Sequence, residues 1–155
     1  VILDLDKMMA GALAAARSNL FANGPDDVLV PVCLCYSAPG TLVIPLTGMP
    51  KTDFLQVLPA VLREARADGY VIIAEAWFAQ GAREDIDNGP LPSQRPDRQE
   101  CLTIYAEMRG ESRLKRWLLL RGEAGKVVGL SELSDPSPGW TGWNMWAGLL
   151  DERRH

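Results

Sequence analysis

The stretch TDFLQVLPAVLREARADGYVIIAEAWFAQ, residues 52–80, decides the fold, because its hydrophobic period changes at Gly69. Phe54, Leu58, Val61, Leu62 and Ala65 recur at helical spacing, while Arg63, Glu64, Arg66 and Asp68 fall largely on the opposite side. This predicts an amphipathic helix with one stripe against a core. Thr52 or Asp53 is placed to accept from the free N–H groups of the first turn, and Gly69 to supply the positive φ that ends a helix. Pro59 interrupts the pattern: it either kinks the helix or begins it, leaving 53–58 as a separate turn. Residues 70–78 are too few for a second helix and rich in β-branched and aromatic types, which predicts a central strand.

Outward from this unit, residues 3–22 predict another helix, with Leu5, Met8, Met9, Ala12, Leu13, Ala16 and Leu20 on one side. Asn23, Gly24 and Pro25 stop it. Residues 28–46, VLVPVCLCYSAPGTLVIPL, predict a hairpin that turns at Ala38, Pro39 and Gly40. Its arms are apolar at nearly every position, which implies burial on both faces. Pro31 and Pro45, however, suit an edge or a bulge, because proline cannot donate to a ladder. An edge hairpin covered by a second copy of the chain reconciles the two signals. Val30, Val32, Leu34, Val43 and Ile44 are then the expected interface, joined by Trp143 and Trp146.

Residues 81–100 contain three prolines and two glycines and show no periodicity, which predicts a long mobile loop. Its first half is acidic (Glu84, Asp85, Asp87) and its second half basic (Arg95, Arg98). Residues 101–108 and 114–121 predict a second hairpin, and 126–133 a short last strand. A three-residue bulged turn would set Glu107 opposite Lys115 and Tyr105 opposite Trp117. The tail, 136–155, is rich in tryptophan. From Thr141 a short helix would align Trp143, Trp146, Leu149 and Leu150, as a cover for the chain's own core or as an interface.

The chain has 155 residues, enough for a single domain over 1–155 with a sizeable core. A net charge of -4 argues against a protein whose main task is to coat nucleic acid, although Arg109, Arg113, Lys115, Arg116 and Arg121 make the second hairpin locally basic. Cys33, Cys35 and Cys101 have no disulfide-framework spacing, which suggests reduced thiols and a cytoplasmic setting. The N-terminal stretch carries Asp4 and Asp6 where a signal peptide would be basic, and no apolar run is long enough to span a bilayer. Arginine outnumbers lysine, in keeping with a bacterial-type chain.

Histidine occurs only as His155, so triads, general bases and zinc sites built on histidine are not expected, and the common phosphate-binding glycine motifs are missing. No metal or cofactor is expected: three thiolates make a poor zinc cage, and core packing explains them better. Glu75, a carboxylate within an apolar strand, is the most conspicuous candidate for chemistry. Beside Trp77 its pKa would rise toward general-acid work; alternatively it pairs with a base from a neighbouring strand. If its strand pairs with 101–108, then Glu75, Trp77, Tyr105, Glu107, Lys115 and Trp117 gather as a ligand-binding face, with Glu75 and Glu107 as the only catalytic candidates.

These readings predict an α+β domain, with a largely antiparallel sheet of about five or six strands packed by two main helices in a single layer pair. Nothing in the sequence specifies an activity. The expected role is a soluble, non-enzymatic binding or interaction protein that forms homo-oligomers; the alternative is a small-molecule binder or acid/base enzyme using the Glu/Trp/Tyr face.

Overall fold

A computed structural model of the chain describes residues 3–22, 31–46, 48, 50–78, 99–123, 125–133 and 149–150. Two helices and six strands follow in the order α1 (Leu5–Ala22), β1 (Val32–Ser37), β2 (Gly40–Pro45), α2 (Lys51–Glu64), β3 (Gly69–Phe78), β4 (Gln99–Met108), β5 (Glu111–Arg121) and β6 (Val127–Glu132). The strands form one sheet in the order β2-β1-β3-β4-β5-β6, and every neighbouring pair is antiparallel. The α+β class and the antiparallel sheet therefore agree with the sequence reading. No described helix is long and apolar enough to cross a membrane.

β3 lies inside the sheet, and its residues from Tyr70 to Ala74 are all buried. Alternation sends Val71 and Ile73 to one face and Tyr70 and Ile72 to the other. Val71 and Ile73 join a cluster with Leu5, Met8, Ala12 and Ala16 of α1. Tyr70 and Ile72 join another with Phe54, Leu58 and Leu62 of α2. The helices thus cover opposite faces, in place of the single layer pair expected. A strand that is apolar at successive positions requires this, since each face needs its own cover.

α1 begins at Asp4, whose carboxylate accepts from the N–H groups of Asp6 (2.8 Å) and Lys7 (3.4 Å), a cap the hydrophobic pattern does not reveal. α2 differs from expectation at both ends. It starts after Pro50 with no side-chain cap, so neither Thr52 nor Asp53 has that role, and it runs unbroken through the buried Pro59 rather than restarting there. At its other end the N–H of Ala67 donates to Leu62 and that of Arg66 to Arg63, the paired bonds of a Schellman cap. The residue in the left-handed region is Arg66, at φ 52°, and not Gly69. Gly69 is needed for a different reason. A Cβ there would lie 3.0 Å from the Glu107 carbonyl oxygen and 3.2 Å from methyl groups of Leu3 and Met8.

The second hairpin also departs from expectation. Met108 pairs with Glu111 across a two-residue turn, Arg109-Gly110, in which Gly110 takes φ 84°. The register therefore sets Tyr105 opposite Leu114, Glu107 opposite Ser112, Ile104 opposite Lys115 and Leu102 opposite Trp117. Relative to the three-residue turn this is an odd shift, which moves each β5 side chain to the other face. The tail's Trp143 and Trp146, the loop at 81–98 and Val30 lie outside the described residues.

Replacing Gly69 with alanine is expected to destabilise the protein by about 1–3 kcal/mol, because the new methyl meets a ladder carbonyl that cannot retreat without shifting β4. Urea unfolding of Gly69→Ala beside the parent checks this. An unchanged midpoint would show that the spacing is not tight.

Candidate functional site

The expected ligand face is divided between the two sides of the sheet. Glu75 pairs with Leu102 on the α1 side, where Lys115 and Trp117 also lie, and Trp77 pairs with Glu100 in the ladder. Tyr105 and Glu107 pair with Ile72 and Tyr70 on the α2 side. The shared face expected from pairing with 101–108 is thus corrected: that pairing is present, but its register puts Glu75 and Glu107 on opposite sides of the sheet.

On the α1 side, Arg121 organises the end of the sheet. Its guanidinium donates to both carboxylate oxygens of Glu100, at 3.2 and 2.6 Å, and to the Gly125 carbonyl at 2.6 Å. The bond to Glu100 and the charges of Glu100 and Glu75 hold it above its ordinary pKa, against a smaller opposing effect of burial. Glu75 of β3 is therefore close enough to Arg121 of β5, across β4, for their charges to interact. Other bases of the hairpin are also engaged: Arg113 with Asp6, and Lys115 with Glu132 at 3.7 Å. Arg113, Lys115 and Arg121 share the α1 side, Arg116 faces the other side and Arg109 lies in the turn, so the five bases do not form one continuous stripe.

On the α2 side, the Tyr105 hydroxyl donates to Glu107 Oε1 at 2.5 Å, and its ring is tilted against Tyr70 with centroids 6.0 Å apart. The Tyr70 oxygen accepts from the Leu149 N–H at 3.3 Å, which ties the returning tail to the sheet. Both phenols are raised well above the ordinary 10.0, first by burial and then by Glu107. Cys33, Cys35 and Cys101 are free and buried on this same side. Burial, and then the neighbouring Cys35, push the Cys33 thiol up to about 12. Among the described residues no cluster of His, Cys, Asp and Glu is arranged to hold a metal ion.

Next to this network opens a cleft of about 460 Å³, within the range of small-molecule sites. Arg63 and Arg66 from the end of α2 and Arg109 from the β4–β5 turn line it, with Asp68 as the only acid among the described lining residues. Leu62, Ala67, Leu149 and Leu150 supply the apolar floor. No pattern in the sequence signals this grouping. Arg63 and Arg66 read as the solvated side of a helix, and Arg109 is far from them along the chain.

At the opposite end of the sheet, β2 is an open edge. Leu42 and Val43 are 48% and 56% exposed, whereas Val32 and Leu34 are half-buried against the α1 cluster and Ile44 against the α2 cluster. The bond from the Leu46 N–H to the Pro31 carbonyl (2.8 Å) fixes the ladder phase. Leu42 and Ile44 turn their backbone groups toward β1, while Thr41, Val43 and Pro45 turn theirs outward. Pro45 thus occupies a position where its missing N–H costs the sheet nothing. That resolves the conflict between apolar arms and proline content.

Comparisons with protein-family models, with curated proteins and with solved structures found no match.

The raised thiols and phenols carry a pH dependence. The folded state holds these protons more tightly than the unfolded chain, so the stability they contribute is complete below pH 9.0. It is lost progressively as the pH rises past 9.0 for the thiols and 10.0 for the phenols. Thermal melts from neutral pH to beyond pH 10.0 should show a falling midpoint that Tyr70→Phe makes shallower. A midpoint that stays flat across that range contradicts the account.

Proposed function

We propose that this chain is a non-enzymatic binding and interaction protein that self-associates, joining a second copy through the edge of β2. The observation that carries this reading is an uncharged edge, GTLVIP, with Leu42 and Val43 open to solvent. Proteins usually guard such an edge with charge or proline; β2 has no charge, and its one proline, Pro45, lies at its end. β6, the other edge, carries Glu132 and adjoins a register irregularity at Leu120/Arg121. The three free, buried thiols support a reducing, cytoplasmic setting.

The prolines define the pairing. Pro39 and Pro45 lie symmetrically about Leu42, and between them only Thr41 and Val43 offer outward N–H groups. In a twofold pair centred on Leu42, Thr41 of each copy exchanges N–H···O bonds with Val43 of the other. Leu42 then meets its own counterpart on the α2 side of a continuous sheet. No like charges face one another, and both outward donors find acceptors. Such an isologous contact is the commonest way for identical chains to associate.

Light scattering at micromolar concentration is expected to give the mass of a dimer. Val43→Pro removes an outward N–H that β1 does not use, and Val43→Lys places like charges in the pair; both should give monomers with an unchanged circular dichroism spectrum. A monomeric parent, or variants that dimerise as the parent does, would sink the reading.

A further inference from the structure

We propose that the cleft between the end of α2 and the β4–β5 turn is a binding site for a phosphate monoester with an apolar body. The phosphate would be held by Arg63, Arg66 and Arg109, and the body would rest on Leu62, Leu149 and Leu150.

Charge comes first. Among the described residues that line the opening, three guanidinium groups and the Asp68 carboxylate leave a surplus of two positive charges. The α2 C-terminus offsets roughly half a charge of that, and less once its last carbonyls are bonded by the Arg66 and Ala67 N–H groups. None of the three arginines forms an ion pair with a described residue, in contrast to Arg113, Lys115 and Arg121. A dianionic phosphate matches this surplus, and the planar guanidinium fork suits its oxygens.

Arginines at a helix C-terminus have an ordinary explanation in the helix dipole. Two observations exceed it. Arg109 comes from a different element, the β4–β5 turn, and converges on the same opening. Arg66 occupies the left-handed position of the Schellman cap at φ 52°, where glycine would be free of strain. A long charged side chain held at a strained backbone position beside a cleft is the pattern of stability exchanged for a site. The floor sets the remaining specificity. Leu149 is fully buried and Leu150 half-buried, so the tail's return against Tyr70 completes the apolar wall.

Calorimetric titration of the full chain with octyl phosphate tests this, with inorganic phosphate and octanol run separately. Saturable one-to-one binding of octyl phosphate is expected, much tighter than of either fragment. Arg66→Gly should weaken binding about tenfold or more while raising the melting temperature, because it removes a charge-assisted contact and relieves the strain together. Arg109→Gln should weaken binding without that rise. Failure of the parent to bind octyl phosphate overturns the proposal, as does equal binding by both variants. Binding only to vesicles containing phosphatidate, with none to soluble octyl phosphate, also overturns it. The oligomeric state does not enter the outcome, so this result stands apart from the pairing at β2.

Discussion

The structure rests on a strand that has no polar face. β3 is buried from Tyr70 to Ala74, so both sides of the sheet need cover where this strand lies. α1 supplies one cover with Leu5, Met8, Ala12 and Ala16, and α2 the other with Phe54, Leu58 and Leu62. The small residues of α1 allow the helix to lie close to the sheet. Gly69 lets the end of β3 approach β4 and α1 together without a side chain between them. Each feature follows from the demand of a doubly buried strand.

Because the sheet is covered on both faces, side-chain parity decides which groups meet. The β3–β4 register places Glu75 over Leu102 on the α1 side and Tyr70 beside Glu107 on the α2 side. The two-residue turn at Arg109-Gly110 then assigns Trp117 and Lys115 to the α1 side. One polar group of Arg121, Glu100 and Glu75 therefore ties the end of the sheet on one face. A separate group of Tyr70, Tyr105 and Glu107 lies under the tail on the other. Removing a partner from the second is costlier, since its phenols are buried whereas Arg121 and Glu100 remain in contact with water.

Much of this was legible in the sequence, for identifiable reasons. Both helices and the central strand follow from sustained periodicity, and the first hairpin from Pro39 and Gly40 between apolar arms. The second hairpin is legible in position but not in register. Leu118, Leu119 and Leu120 form a run without alternation, so either register sets leucine beside an apolar partner, and only the conformation of Gly110 decides. The end of α2 is not legible because glycine is the usual left-handed residue, and Arg66 takes that position in its place. The arginine cleft was invisible for a related reason: it depends on where a turn of one hairpin falls relative to the end of a helix, which no local spacing encodes.

The measurement that tests this account most directly is the β4–β5 register in solution, read from cross-strand backbone NOEs. The structure requires contacts of Tyr105 with Leu114 and of Leu102 with Trp117. Contacts of Tyr105 with Trp117 and of Glu107 with Lys115 would contradict it. They would return those side chains to a common face, take Arg121 away from Glu100 and Glu75, and undo the position of Arg109 at the cleft.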